Sequence, residues 1–99
     1  MNEEELFSKA IKEWGVHPQL DMCIEEMAEL IKEINKWKRN WSEHQGNVPH
    51  SIIEEYVDVK IMLKQLEIYC RNSDVNFDNL VQVKKNEKIE RIKNKLNLF

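Results

Sequence analysis

The chain has 99 residues, which allows one small hydrophobic core and excludes large folds such as a TIM barrel. Hydrophobic residues make up 41% and charged residues 33% of the chain, a composition too apolar for a disordered protein. No apolar run approaches the roughly 18 residues that span a membrane. Only two Gly and two Pro are present, which disfavours β architectures with a turn about every 8–12 residues. The sequence therefore predicts a single all-α domain over residues 1–99.

Charge is distributed unevenly along the chain. The net charge of -3 gives no general reason to bind a nucleic acid polymer. Residues 1–83 contain 9 Lys/Arg and 16 Asp/Glu, whereas residues 84–99 contain 6 and 2, so a metal and an anion could bind in different places. The acidic N-terminus is unlike a signal or transit peptide. Cys23 and Cys70 lie in apolar helical patterns, as expected for free core thiols of a cytoplasmic protein.

Apolar spacing predicts two helices in the first half of the chain. The first runs from about Glu3 to Trp14, and Gly15 is placed to end it. His17 and Pro18 open the second helix, since a proline is tolerated in the first turn, and it runs to about residue 40. Residues 42–50 form the one clear loop.

Two further helices are predicted in the second half. Ser51 and Glu54 have the spacing of a capping box, which places a third helix at about 51–71, and a fourth follows at about 78–96. The third helix is apolar on two sides, which favours burial between partners in an oligomer. Its two apolar sectors consist of Ile52, Tyr56, Val59, Leu63, Leu66 and Cys70, and of Val57, Ile61 and Ile68. Four helices with short connections indicate a four-helix bundle-like fold.

Paired carboxylates are the most informative feature. Glu26 and Glu29 stand one helical turn apart on the second helix, and Glu55 and Asp58 do so on the third. If these helices pack antiparallel, the four side chains can converge, and a divalent cation would offset their repulsion. Mg²⁺ is the expected metal ion, and Mn²⁺ is its usual substitute. With 18 acidic residues, a solvated acidic face is the alternative. A di-iron site is disfavoured because the histidines fall at helix starts or in the loop: His17, His44 and His50.

The acidic pattern resembles the signature of the MazG-like, all-α nucleoside triphosphate pyrophosphohydrolases. That signature is Glu-Glu-x-x-Glu, a spacer of about 25 residues, and Glu-x-x-Asp. The matching residues here are Glu25, Glu26, Glu29, Glu55 and Asp58, and the surrounding Trp14-Gly15, Ala28-Glu29-Leu30, Asp58-Val59 and Lys85-Asn86-Glu87-Lys88 are also similar. The resemblance implies a MazG-type bundle, a homodimer or homotetramer, and hydrolysis of nucleoside triphosphates to a monophosphate and pyrophosphate, in a nucleotide house-cleaning role.

The resemblance also implies roles for individual residues. Glu26, Glu29, Glu55 and Asp58 would bind Mg²⁺, while Glu25 would support the site or help activate water. Candidate substrate-binding residues are Lys85, Asn86, Lys88 and Arg91 for the phosphates, and Trp14, Trp37, Trp41, Gln19 and Asn86 for the base. Two alternatives remain open. One is a non-catalytic helical interaction or regulatory protein, and the other is a metal-dependent phosphohydrolase acting on another pyrophosphate-bearing metabolite.

Overall fold

A computed structural model describes residues 1–98 and confirms the all-α class. The helices within this range are α1 (Glu3–Trp14), α2 (Val16–Arg39), α3 (Trp41–His44), α4 (His50–Ser73) and α5 (Phe77–Lys95), and no strand occurs in it. The chain divides into two compact units, Met1–Tyr69 and a second that begins at Cys70. The single MazG-like domain and its oligomerisation stay predictions. Within residues 1–98, no helix combines the length and apolar character needed to cross a bilayer.

Helix α1 has the predicted bounds, and its ends have clear local causes. The Asn2 side chain accepts a hydrogen bond from the backbone N–H of Glu5 at 2.8 Å, which caps the first turn. Gly15 adopts φ 94°, donates its N–H to the Ile11 carbonyl and is followed at once by α2. A glycine adopts this backbone conformation without the clash that a Cβ would cause. One residue therefore connects α1 and α2.

The bounds of the later helices differ from the predicted ones. Helix α2 begins at Val16, so Pro18 lies inside its first turn. The predicted loop at 42–50 overlaps the short helix α3, which begins at Trp41, and includes a turn in which Gln45 has a left-handed conformation. Helix α4 already begins at His50, and the Pro49 carbonyl accepts hydrogen bonds from the N–H groups of Ile52 and Ile53. Ser51 is thus a first-turn residue rather than the N-cap, and the predicted capping box is wrong.

The core of the first unit lies where α2 and α4 meet. The buried residues of the described chain are Cys23, Val59, Met62, Gln65 and Ile68. Gln65 is only 6% exposed, and its Oε1 accepts a hydrogen bond of 2.6 Å from Nε2 of Gln19. The gap beside this pair has a volume of about 10 Å³, no more than the ~10–15 Å³ that one water molecule needs. The two amides are therefore joined by one hydrogen bond in a part-buried contact with no room for a ligand.

Helix α4 turns a different side to the core than its hydrophobic pattern predicts. Tyr56 and Leu63, from the main predicted apolar sector, are 55% and 45% exposed, and Val57 in the second sector is also exposed. The side between the two sectors carries the buried Met62 and Gln65, with Val59 of the main sector and Ile68 of the second sector at its edges. At about 100° per residue, Glu55 and Asp58 share that side of the helix. The α4 face that contacts α2 is therefore the one that bears the carboxylates, while much of the apolar surface stays open.

Candidate metal centre

Three carboxylates from two helices converge beside the core of the first unit. Glu26 comes from α2, while Glu55 and Asp58 come from α4, and one oxygen of each lies within 4.8 Å of the others. Glu55 and Asp58 share a face because they are one turn apart on an α-helix. Glu26 and Glu55 are partly buried and Asp58 is exposed. The arrangement forms a small acidic cluster with one side open to solvent.

The electrostatics of this cluster disfavour full ionisation. Burial raises the pKa of Glu26 above its ordinary value, and the charges of Asp58 and Glu55 raise it further. Burial likewise raises the pKa of Glu55, followed by the charges of Asp58, Glu29 and Glu33. Both shifts have the sign expected when like charges share a poorly solvated site.

Within residues 1–69, no Lys, Arg or His forms an ion pair with Glu26, Glu55 or Asp58. The ion pairs found in residues 1–98 involve other acidic residues: Glu67, Asp78, Glu87 and Glu90. One carboxylate oxygen of Glu55, Oε2, is buried without a hydrogen-bond partner. A buried polar atom without a partner is rare in native proteins and calls for an explanation such as an ion.

The donor set fits a hard divalent cation. The cluster offers carboxylate oxygens alone, which are the ligands that Mg²⁺ and Mn²⁺ prefer. It contains no histidine or cysteine, the usual ligands of zinc.

The other two acidic residues of the predicted site lie close to the cluster without joining it. Glu29 is exposed on α2, and its charge contributes to the raised pKa of Glu55. Glu25 is also exposed, and its charge contributes to the raised pKa of Glu26. Glu25 and Glu29 therefore stand within electrostatic reach of the three convergent carboxylates.

The predicted substrate-binding residues belong to both compact units of the chain. Gln19 is engaged in the hydrogen bond to Gln65, and Trp14 is 64% exposed at the end of α1. On α5, Asn86 accepts a hydrogen bond from Gln82. The basic residues predicted to contact phosphate are exposed on the same helix: Lys85, Lys88 and Arg91. Their roles stay predictions.

Glu33 is a residue of the site that the sequence reasoning missed. It is partly buried, and its Oε2 has no hydrogen-bond partner. Its charge helps to raise the pKa of Glu55. The available signal was its position seven residues after Glu26, which places both side chains on the same face of α2.

A cavity of about 210 Å³ lies at the C-terminal part of α2. Its lining consists of Glu33, Lys36, Trp37, Asn40, His44, Pro49 and Ser51. The indole Nε1 of Trp37 is buried without a hydrogen-bond partner, and the Trp37 ring packs on Trp41 with centroids 5.3 Å apart. Glu33 therefore belongs both to the wall of this cavity and to the electrostatic surroundings of the acidic cluster.

Comparisons of the chain with protein-family models, with curated proteins and with solved structures found no match. Function must therefore be argued from the site itself. The relevant observations are the convergent carboxylates, their uncompensated charge and the adjoining cavity.

Proposed function

We propose that this protein is a Mg²⁺-dependent nucleoside triphosphate pyrophosphohydrolase of MazG-like type. Water is added across the bond between the α and β phosphates, and a nucleoside monophosphate and pyrophosphate leave. The observation that carries the proposal is the convergence of Glu26, Glu55 and Asp58 from two helices without a compensating cation. The acidic signature that resembles the MazG-like family supports it.

The proposed metal ligands are Glu26, Glu55 and Asp58, with Glu29 completing the set. A bound Mg²⁺ supplies neutralisation of phosphate charge and a lower pKa for coordinated water. The three convergent side chains hold their oxygens close together before any ligand arrives, which reduces the reorganisation needed in the reaction. Glu25 is exposed beside Glu26, and we assign it the role of orienting or deprotonating the attacking water.

We also propose that the active species is a homodimer or homotetramer. Helix α2 exposes four apolar side chains with 3-4-3 spacing: Ile24, Met27, Ile31 and Ile34. This spacing forms one stripe along a helix, as in packed helical interfaces. A second copy of the chain would remove this stripe from water.

The test is pyrophosphate release from a panel of canonical and modified nucleoside triphosphates, with and without Mg²⁺. The decisive variant is Glu55→Gln, with Glu54→Gln as its matched control, since Glu54 is exposed and adjacent on the same helix. We expect Mg²⁺-dependent release by the wild type and a loss of at least about 100-fold in Glu55→Gln. Glu54→Gln should keep most of the activity.

Other outcomes would select one of the alternatives. If the wild type releases no pyrophosphate from any nucleotide and does not respond to Mg²⁺, the chain is a non-catalytic helical interaction protein. If it hydrolyses other pyrophosphate-bearing metabolites and spares nucleotides, it is a phosphohydrolase of another specificity. Equal activity of Glu55→Gln and wild type would show that the acidic cluster takes no part in the reaction.

A further inference from the structure

Helix α5 differs from the helices that form the core. Residues 78–98 are all exposed, and the apolar side chains of the helix do not form one face. At about 100° per residue, Val81, Val83 and Ile89 are directed to different sides of the helix axis. Burial of an apolar face therefore does not account for the surface of α5.

Basic side chains, by contrast, form a line along α5. Four of them have four-three-four spacing, which confines them to an arc of about 60° and extends them along about 16 Å of the helix axis. We call this line the basic stripe, and its members are Lys84, Lys88, Arg91 and Lys95. All four residues are exposed, so the stripe is accessible to a large anion.

The acidic residues near the stripe compensate little of its charge. Glu87 pairs with Lys84 at 3.3 Å. Glu90 pairs with Lys93, which lies on the opposite side of the helix, at 3.2 Å. Within residues 1–98, the other three members of the stripe form no ion pair. Like charges one turn apart destabilise a helix, so an anion that lies along the stripe would relieve this repulsion.

The shape of the stripe favours one kind of anion. A nucleic acid duplex carries one negative charge about every 1.7 Å of its axis, so its charges continue along the whole stripe, whereas a single nucleotide ends after its own phosphates. An anionic membrane matches less well, because an interfacial helix needs an apolar face and α5 has none. No aromatic residue occurs at 78–98 to stack on unpaired bases, which favours paired strands.

We propose that the basic stripe of α5 binds the phosphate backbone of double-stranded nucleic acid without regard to base sequence. Phosphate contacts position a protein on a duplex and carry no sequence information. The net charge of the whole chain, -3, gave no reason to expect such a partner, but the local charge of α5 does. The inference is independent of the proposed function. It gives Lys88 and Arg91 polymer phosphates as ligands in place of the triphosphate that the MazG-like resemblance implies.

The first test is the fluorescence anisotropy of a labelled DNA duplex of about 20 base pairs, titrated with the full chain in the presence of a chelator. We expect binding below about 0.1 mM protein at low salt. The logarithm of the binding constant should fall linearly with the logarithm of the NaCl concentration, at a slope of about -3 to -4 for four phosphate contacts. A second duplex of unrelated sequence should bind within about twofold.

The second test compares two variants that lose the same charge from the same helix. Lys95→Gln removes a member of the stripe, and Lys93→Gln is the matched control on the opposite side of α5. Both residues are exposed, so neither change should disturb the core. We expect Lys95→Gln, and likewise Lys88→Gln, to weaken duplex binding and to reduce the salt slope by about 1. Lys93→Gln should leave the slope unchanged.

The inference is overturned if the chain does not bind the duplex at about 0.1 mM protein and low salt, or if Lys93→Gln and Lys95→Gln weaken binding equally. Tighter binding to a single strand, or binding to phosphatidylserine vesicles instead of the duplex, would also overturn it.

The outcomes also separate this inference from the proposed function. If Lys88→Gln raises KM for a triphosphate and leaves duplex binding unchanged, the stripe serves the substrate, and the proposed function stands without this inference. Duplex binding by a chain that releases no pyrophosphate would support the inference and remove the catalytic proposal.

Discussion

Helices α2 and α4 place polar side chains against each other at two points, one of which is hydrogen-bonded and the other of which brings like charges together. At one, Gln19 and Gln65 form a hydrogen bond of 2.6 Å beside a gap of about 10 Å³. At the other, Glu26 meets Glu55 and Asp58 with like charges, and Glu55 Oε2 has no partner. The same helix pair thus contains one satisfied polar contact and one unsatisfied contact.

The difference separates a structural polar contact from a functional one. A neutral amide pair compensates its own desolvation, so it fixes how the helices pack and needs nothing from outside. Clustered carboxylates without a cation destabilise the metal-free fold, because burial and neighbouring charges disfavour the charged forms of Glu26 and Glu55. A ligand is therefore expected at a polar contact that is unfavourable in the protein alone.

The largest expected effect on stability is at the amide pair. Gln65→Ala removes a buried side chain and strands the Gln19 amide, so we expect a loss of about 2–3 kcal/mol in the free energy of unfolding, measured in urea. The double variant Gln19→Leu, Gln65→Leu should lie closer to the wild type, since neither amide is then left unpaired. The response to Mg²⁺ should survive in all of these variants. Its loss would mean that the two contacts are not independent.

The next effect concerns the metal at the acidic cluster. Mg²⁺ at 10 times its dissociation constant should stabilise the wild type by about 1.4 kcal/mol, because it binds the folded state. Asp58→Asn should abolish this gain, whereas Glu43→Gln, an exposed acid on α3, should keep it. Thermal unfolding with and without Mg²⁺ measures both. A gain that persists in Asp58→Asn would place the metal elsewhere.

The smallest effect is the pH dependence of the metal-free protein. The pKa values of Glu26 and Glu55 are raised in the folded state above their ordinary value of 4.5. Between 4.5 and the raised pKa, the folded state holds more protons than the unfolded state, so stability falls as pH rises through this window. In the presence of a chelator, Glu26→Gln should therefore be more stable than the wild type by a few degrees at neutral pH.

The difference should shrink as pH falls toward the ordinary value. Melting temperatures of both proteins across this range provide the measurement. If Glu26→Gln is less stable than the wild type at neutral pH, the Glu26 carboxylate has a compensating partner.

Local signals predicted part of this molecule well. The bounds of α1 and its end at Gly15 follow from apolar spacing and backbone sterics, which act within a few residues. The one-turn spacing of Glu55 and Asp58 also predicted that they would share a face. The capping box failed because α4 already begins at His50, so that Ser51 lies inside its first turn and Pro49 is the residue that precedes the helix.

Other features depend on tertiary packing and were beyond local reasoning. The inward side of α4 could not be chosen from its hydrophobic pattern, because apolar residues such as Tyr56 and Leu63 occupy several sides of the helix and most remain exposed. The Gln19–Gln65 pair joins residues 46 positions apart. Likewise, no spacing rule shows that Trp37 Nε1 and Glu33 Oε2 are buried without partners.

The single residue between α1 and α2 has a consequence for how the sequence can change. Gly15 donates its N–H to Ile11 in α1, and its carbonyl accepts from the N–H of Gln19 in α2. An insertion of one residue here would separate these two hydrogen bonds, so α1 would no longer be held directly against the first turn of α2. Substitutions can accumulate along α1, but an insertion or deletion at residue 15 cannot be accommodated. The exposed turn at 45–47 can accommodate such a change of length.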